Sequence, residues 1–228
     1  METTTTEATT TPSKQNNYQD INAYLSDVKV ALTNASDAEV APLLTARGYT
    51  AAIIAAKVAE HNTVEQLVTT QIKEYGDQYQ ATENYNVLAA TLHPKYIEHI
   101  EISRIAFKDN IAAQTTLGLN GKRKRSASGY CSQAALFYTG TLNDATYKAA
   151  LATKGVTDAE LTAGKTGYTN LVDLEAKQAK ETGEAQGATA KRDKAVDDLA
   201  AWYSDFKTLG KIALSSKPQL REKLGWKE

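Results

Sequence analysis

The 228-residue chain has few of the residues that identify the special classes of protein. It contains one Cys, one Met, three Phe, four Pro and 13 Gly residues, and its net charge at pH 7 is −1. A single Cys excludes an intrachain disulfide, and this Gly and Pro content excludes a collagen-like chain. No run of 18 apolar residues occurs, so we expect no transmembrane helix. Ala, with 36 residues, and Thr, with 28, are abundant, which indicates helices that pack through small side chains.

The N-terminus has neither segment of a secretory signal. It begins METTTT, without a basic region or an apolar stretch. We therefore expect a cytoplasmic protein in which Cys131 is a small buried residue rather than a reactive thiol. Residues 1–17 are polar and of low complexity, which predicts a flexible Thr-rich tail.

The remainder of the chain predicts an all-α fold. From Tyr18 onward apolar residues recur at spacings of three and four, as they do on one face of a helix. Capping boxes at 36–39 and 157–160 predict helix starts. Glycines follow or interrupt the periodic segments. The predicted helix breaks or caps are Gly48, Gly76, Gly118, Gly155, Gly183 and Gly225.

The second half of the chain repeats the first at an offset of 107 residues. Of the 83 ungapped pairs that begin at Asp37 and end at Leu119, 20 are identical. They include Gly, Tyr and Leu-Gly matches that the Ala- and Thr-rich composition does not explain, so we interpret the pattern as an internal duplication. The predicted organisation is a flexible tail at 1–17, helical repeat 1 at 18–120, a basic linker at 121–127 and helical repeat 2 at 128–228, with both repeats packed as one bundle.

We predict an internally duplicated antiparallel helical bundle with four long helices and short capping helices. This number depends on turns at Gly76 and at Gly183 and Gly187, since a Gly costs up to about 1 kcal/mol in a helix interior. Pro94 is expected to kink or restart its helix. The alternative in repeat 2 is one continuous helix of about 55 residues, because a coiled-coil-like period continues through both glycines.

No set of residues predicts an active site. The sequence contains no Gly-x-Ser-x-Gly motif, no phosphate-binding loop and no zinc-type Cys set. His61, His93 and His99 are matched in the second repeat by a Tyr, an Ala and a Phe, so no set of metal ligands recurs. We therefore expect a protein that is not an enzyme and that has no catalytic, metal-binding or cofactor-binding residues and no cofactor.

The small net charge conceals an uneven distribution. Residues 1–114 carry a net charge of −6 and residues 115–228 carry +5. Such a chain either associates head to tail through its opposite potentials or simply has helix faces that are solvated differently.

The densest basic run joins the two repeats and is the candidate interaction element. As a functional element it suits a phosphate-rich partner, a nuclear-import-like patch or a processing site, and otherwise it is a solvated linker. It stands alone, without flanking aromatic residues, on a chain with a pI of about 6.3, so we expect no nucleic-acid partner. Its members are Lys122, Arg123, Lys124 and Arg125.

A C-terminal pattern of Trp-x3-Phe, Ile-Ala-Leu and Lys-Pro-Gln-Leu-x-Glu-Lys-Leu-Gly occupies residues 202–225. This segment resembles the C-terminal part of an uncharacterised bacterial family of all-helical proteins. The resemblance covers roughly the last 40 residues. It implies an all-helical fold, and it implies no activity and no site residue.

Two functions from different classes are compatible with the sequence. The first is a non-enzymatic helical structural or protein-interaction protein that self-assembles, with a homo-oligomer or larger assembly as the expected partner. The second is a membrane-acting helical-hairpin protein similar to a pore former, for which the Ala-rich stretch 50–59 is the candidate hairpin, although it is too short to span a bilayer. An enzyme that uses the interior of the bundle is the third hypothesis.

The twelve Tyr residues bear on the first function. Tyr packs its ring and keeps its hydroxyl in contact with water, which suits either the edge of a helical core or a surface that binds a partner.

Overall fold

The computed structural model describes residues 21–226. Within this range the chain forms eight helices and no strand, which confirms the all-α fold class. The tail predicted at residues 1–17 lies outside the described residues. The helices are α1 (Ile21–Asn34), α2 (Ala41–Thr45), α3 (Ala51–Ala106), α4 (Ile111–Thr116), α5 (Ala127–Leu142), α6 (Ala145–Ala152), α7 (Asp158–Ala213) and α8 (Gln219–Lys223).

The long helices α3 and α7 each run for 56 residues without a break. The turns predicted at Gly76, Gly183 and Gly187 are therefore wrong, and the alternative of one continuous helix in repeat 2 is confirmed. The described residues contain two long helices where the preferred prediction had four. Pro94 also lies inside α3, so the helix does not restart there. The local cost of a helical Gly is about 1 kcal/mol. Tertiary packing supplies most of the stability of a helix in a protein and overrides a cost of this size.

The other four predicted glycines end helices as expected. Their φ angles are positive, between 63° and 90°. A residue with a Cβ is strained in this left-handed conformation, whereas Gly adopts it without cost. After Gly48 the Tyr49 N–H donates to the Leu44 carbonyl at 3.1 Å, which closes a Schellman turn. The four residues are Gly48, Gly118, Gly155 and Gly225.

One of the two predicted capping boxes is present. The Thr157 N–H donates to Oε2 of Glu160 at 2.9 Å, and the Glu160 N–H donates to Oγ1 of Thr157 at 3.2 Å. The box predicted at 36–39 is wrong. There Oδ1 of Asp37 accepts the Glu39 N–H at 2.9 Å and holds a turn, and α2 begins only at Ala41.

The helix boundaries recur with the spacing of the sequence repeat. Both ends of α7 lie 107 residues after the corresponding ends of α3. The pairs α1 and α5, and α4 and α8, are separated by 106 to 108 residues at their ends. The order of helices thus follows the sequence repeat, and the duplication itself stays a prediction.

The described residues form two compact units, and each draws on both halves of the chain. Unit 1 contains residues 21–71 and 188–226, and unit 2 contains residues 72–187. Both units therefore include one end of α3 and one end of α7.

Unit 1 packs α1, α2 and α8 with the first part of α3 and the last part of α7. Nζ of Lys57 lies 5.2 Å from the ring centre of Trp202, and Nη1 of Arg192 donates to Oε1 of Gln71 at 2.9 Å. Because the contacts run in opposite orders along the two helices, α3 and α7 are antiparallel in this unit. Buried apolar residues include Leu25, Val28, Leu44, Val64, Leu199, Phe206 and Trp226.

Unit 2 contains the rest of α3, the first part of α7, and α4, α5 and α6. Nε2 of Gln178 donates to Oγ1 of Thr82 at 3.1 Å, and Nδ1 of His93 lies 3.4 Å from the Tyr168 hydroxyl. These contacts also run in opposite orders, so α3 and α7 are antiparallel in unit 2 as well. Its core includes Tyr96, Ile100, Phe107, Phe137, Tyr138, Leu151, Leu161 and Tyr168.

Candidate interaction surface

The basic run predicted from the sequence lies in the loop between α4 and α5. Lys122, Lys124 and Arg125 are exposed, whereas Arg123 is half-buried. The Lys124 backbone N–H donates to Oε1 of Gln133 at 2.8 Å, which fixes the loop to α5. Nη1 of Arg123 is buried and has no hydrogen-bond partner in the part of the chain that the structure describes. The interaction role of these four residues stays a prediction.

The three His residues lie inside the units. His61 and His99 are 1% and 3% exposed, and His93 is half-buried. Nε2 of His61 lies 2.8 Å from a backbone carbonyl of α1. Nδ1 of His99 lies 3.2 Å from the Tyr138 hydroxyl, and His93 makes the corresponding contact with Tyr168. Desolvation by burial lowers the pKa of His93 and His99. These two imidazoles are therefore neutral packing residues at pH 7.

Four Tyr rings surround these contacts in unit 2. The ring centre of Tyr96 lies 5.2 to 6.0 Å from those of Tyr130, Tyr138 and Tyr168. Burial raises the pKa of Tyr96 to about 12 and raises the pKa of the other three hydroxyls as well. Hydroxyls with raised pKa values stay protonated at neutral pH. Tyr96, Tyr138 and Tyr168 are buried in the core of unit 2, and Tyr130 packs against it. The cluster therefore packs the core of unit 2.

Three carboxylates approach one another where α3 and α7 pass through unit 2. Glu74, Glu181 and Glu184 each offer an oxygen, and these oxygens lie within 4.8 Å of one another. Nζ of Lys180 lies 2.9 Å from Glu184 and 3.9 Å from Glu181, and Nζ of Lys73 lies 4.0 Å from Glu74. The lysines balance much of the negative charge, so the cluster alone does not indicate a metal site.

A shallow groove of about 760 Å³ runs along the start of α7 in unit 2. Leu88 and Leu92 of α3 form one wall. Asp158 is the one ionisable residue among those that line it, and its carboxylate pairs with Lys148 at 3.0 Å. The other polar side chains that line the groove are those of Thr162, Thr166 and Asn170.

A row of exposed residues, here called the α3 stripe, follows one side of α3 in unit 2. Successive members are three or four residues apart, which places them on a single helix face. Four of them are large and apolar, with exposed fractions of 63% for Ile72, 71% for Tyr79, 57% for Val87 and 37% for Ile97. The full stripe is Ile72, Gly76, Tyr79, Glu83, Val87, Ala90, Pro94 and Ile97.

The opposite side of α3 in unit 2 is buried. Ala81, Tyr96 and Ile100 are each 2% exposed, and Ala89 is 9% exposed. The helix is therefore apolar on two sides and uses only one of them inside the unit.

The equivalent positions of α7, 107 residues further on, are also exposed but have different side chains. The large apolar residues of the α3 stripe are replaced there by small, polar or charged ones. Because both sets of positions are exposed and their side chains differ, the apolar character of the α3 stripe does not follow from the helix geometry. The equivalents are Ala179, Gly183, Gln186, Ala190, Lys194, Asp197, Ala201 and Ser204.

Two ion pairs flank the α3 stripe on one side, one near each end. Nζ of Lys73 lies 2.6 Å from Oδ2 of Asp77, and Nζ of Lys95 lies 3.0 Å from Oε2 of Glu98. At 100° per residue all four side chains fall on the same side of the stripe. The hydrogen bonds to these carboxylates raise the pKa of both lysines, so both lysines are charged at neutral pH.

The sequence pattern did not separate the α3 stripe from the core. Ile72 continues the helical apolar spacing of its segment, and it is mostly exposed. Helical spacing applies equally to a buried face and to an exposed one, so spacing alone cannot distinguish them. A usable signal was present in the repeat, since Tyr79 and Val87 align with Gln186 and Lys194. Of the two roles considered for Tyr, Tyr79 fits the surface role.

Within residues 21–226 no helix combines the length and the apolar character that crossing a membrane requires. The resemblance of residues 202–225 to an uncharacterised bacterial family stays a prediction. Comparison with known protein families, characterised proteins and solved structures finds no match to this chain.

Proposed function

We propose that this chain is a non-enzymatic helical protein of the cytoplasm that binds another protein through the α3 stripe. The observation that supports this proposal is the contrast between two equally exposed helix faces. The α3 stripe presents Ile72, Tyr79, Val87 and Ile97, whereas the equivalent face of α7 presents small, polar or charged residues. Contiguous exposed apolar side chains are typical of protein interaction sites.

The energy available at the stripe matches a binding role. Fully burying a Val, Ile or Phe side chain contributes about 1.5–3 kcal/mol relative to leaving it exposed. Tyr79 is mostly exposed, and Tyr is among the residues that most often dominate binding energy at interfaces. Covering the four large residues together therefore contributes several kcal/mol toward binding, which offsets part of the cost of association.

The alternative functions receive less support. The stretch 50–59, proposed as a membrane hairpin, includes the start of α3, which continues to Ala106 without a turn. The buried Tyr and His cluster of unit 2 holds protonated hydroxyls and neutral imidazoles, which favours a packing role over catalysis.

Site-specific photo-cross-linking tests the proposal. A photoreactive amino acid replaces Tyr79 in one variant and Gln186, the equivalent residue of α7, in another, and both are expressed in cells. We expect protein adducts at position 79 that are absent at position 186, because only the former lies on an apolar surface. The adducts at position 79 should disappear when Val87→Lys is added on the same stripe.

Equal adduct patterns at positions 79 and 186, or adducts that persist with Val87→Lys, would contradict a binding role for the stripe. The result of this test does not depend on which protein is bound.

A further inference from the structure

We infer that the basic loop, residues 121–126 before α5, binds a ligand that carries two or more adjacent phosphate groups. Its side chains Lys122, Lys124 and Arg125 are exposed, and Arg123 is half-buried. Among residues 21–226 no ion pair includes a residue of this loop. Four positive charges thus lie side by side without a described carboxylate to neutralise them, and like charges at this spacing repel one another.

The Arg123 side chain lacks the partner that a buried charge requires. Nη1 of its guanidinium is buried and accepts no partner from the described residues. Burial raises the pKa of Tyr96 and Tyr130, and the positive charge of Arg123 opposes that rise, which places the guanidinium near these two phenol groups. A buried charge without a partner costs free energy, whereas a guanidinium and a phosphate form strong, charge-assisted hydrogen bonds. A phosphate beside the loop would therefore neutralise a charge that the described protein groups do not.

The first turn of α5 lies beside the same cations. A Cβ added at Gly129 would be 2.9 Å from Cδ of Lys124 and 3.0 Å from its Cβ, so the Lys124 side chain packs against this turn. The turn contains no acidic residue. The N-terminus of a helix has a partial positive charge, and its free N–H groups bind anions. A cation held at this end is unfavourable unless an anion joins it, so the helix end and the loop favour the same kind of ligand.

The order of helices does not require these charges. The helices α1 and α5 begin 106 residues apart. At that spacing the residues that correspond to the basic run are 16–19, which read Asn-Asn-Tyr-Gln and carry no charge. The basic loop is also fixed on α5, since the Lys124 N–H donates to Oε1 of Gln133 at 2.8 Å. A charged run that the helix arrangement does not need, on a loop held in one position, favours a binding role over a solvated linker.

The spacing of the cations selects a compact ligand. Four consecutive residues span at most about 14 Å, so one small group can reach all of them. A single phosphate group carries at most about two charges, whereas the loop offers four, so adjacent phosphates match it better. Single-stranded nucleic acid is bound through accessible aromatic rings that stack on the bases. Tyr96 and Tyr130 beside Arg123 are buried and half-buried, respectively. Adjacent phosphates occur in soluble polyphosphates and in polyphosphorylated lipid headgroups.

Calorimetric titration of the full chain with inorganic tripolyphosphate tests the inference. We expect one saturable site with a Kd below about 100 μM, and binding of inorganic monophosphate that is at least about tenfold weaker. Lys122→Gln/Lys124→Gln should weaken the binding of tripolyphosphate at least about tenfold. The control Lys165→Gln/Lys177→Gln removes the same charge from exposed positions of α7 and should leave the Kd within about twofold of the wild type. Equal weakening by the two double variants would overturn the inference.

The variant Arg123→Met tests the buried guanidinium. Met retains much of the side-chain volume and removes the charge, so binding of tripolyphosphate should weaken at least about threefold. Without ligand the variant should unfold at the same urea concentration as the wild type or at a higher one, because the unpaired charge is gone. A variant that loses stability and keeps its affinity would show that Arg123 only packs, which contradicts the inference.

The variant Ser126→Asp tests the end of α5. Oγ of Ser126 accepts the Gly129 N–H at 3.3 Å, and Asp also caps helices while it adds a negative charge. This charge should compete with the ligand and weaken binding at least about tenfold, and it should raise the urea midpoint of the ligand-free chain. Unchanged affinity would contradict a site at this helix end.

Vesicle flotation distinguishes the sources of the phosphates. Phosphatidylcholine vesicles that contain a phosphatidylinositol bisphosphate are compared with vesicles of equal surface charge that contain phosphatidylserine. Binding to tripolyphosphate alone assigns a soluble ligand, and preference for the phosphoinositide vesicles assigns a lipid headgroup; both results support the inference. Equal binding to the two kinds of vesicle, or tighter binding to a short DNA duplex than to tripolyphosphate, indicates general attraction to negative charge and contradicts it. A wild-type chain that binds neither tripolyphosphate nor the phosphoinositide vesicles would also overturn it.

Discussion

Burial, rather than reactivity, determines the state of the titratable residues in unit 2. His99 is 3% exposed and contacts the Tyr138 hydroxyl. Desolvation is the largest cause of its lowered pKa, and nearby Glu160 and Glu98 oppose that effect. Desolvation alone lowers the pKa of the less buried His93. Both residues are therefore more easily protonated in the unfolded chain than in the folded one.

The stability of the fold should consequently fall as the pH falls through the range of His titration. Below an unfolded pKa of about 6.5 the unfolded chain binds more protons at His93 and His99 than the folded chain does, so protonation favours unfolding. The stabilisation is complete above that pKa and is lost as the pH approaches the lower folded values. Urea unfolding at about pH 7.5 and about pH 5.5 measures the change, and this range lies above the titration of carboxylates.

His99→Gln is the matched control for that measurement. Gln keeps a polar group beside Tyr138 and does not titrate, so the variant should lose less stability between the two pH values than the wild type. An equal loss in both proteins would show that His99 does not cause the pH dependence.

At the scale of the helix, the glycines of α7 occupy two different environments. A Cβ added at Gly164 would overlap the ring of Tyr138, so this residue permits the close packing of α5 on α7 in unit 2. At Gly183 an added Cβ meets no atom within 4 Å. Both residues lie in the interior of the same helix, and only Gly164 is required by its surroundings.

Replacing each Gly with Ala should therefore change stability in opposite directions. Gly164→Ala forces the Tyr138 ring to move, and such overpacking costs about 1–3 kcal/mol. Gly183→Ala should stabilise by about 0.5–1 kcal/mol, since Ala has the higher helix propensity and restricts the unfolded chain. Urea unfolding of the two variants measures both changes. A destabilised Gly183→Ala variant would show that α7 is not a regular helix at that position.

The helices also show which features a sequence can predict. The ends at Gly48, Gly118, Gly155 and Gly225 were predictable because a left-handed Gly is a local requirement of the turn. The continuity of α3 was not predicted, and that of α7 was predicted only as the alternative to a turn. The cost of an interior Gly is smaller than the packing energy along a long helix, and that packing energy is not a local property of the sequence. The exposure of the stripe residue Ile72 was not predictable either, since helical spacing does not reveal which face meets another helix.

At the scale of the whole molecule, each core depends on distant parts of the chain. The core of unit 1 combines Leu25, Leu44 and Val64 with Leu199 and Phe206. The core of unit 2 likewise combines residues of 89–119 with residues of 131–171. Each core therefore contains side chains from both predicted repeats, so the predicted repeats and the compact units divide the chain differently.

Division of the chain within the basic linker should thus separate both cores into halves that do not fold. We expect fragments 1–120 and 121–228 each to show little cooperative unfolding alone, because neither contains a complete set of core residues for either unit. Mixing them should restore helical content and a cooperative urea transition, measured by circular dichroism. The control is the full chain, which is folded first and then cleaved only in the 121–126 loop. It should remain assembled, since this cut breaks no helix. A fragment 1–120 that unfolds cooperatively as a monomer would contradict the shared cores and would favour two independently folding repeats.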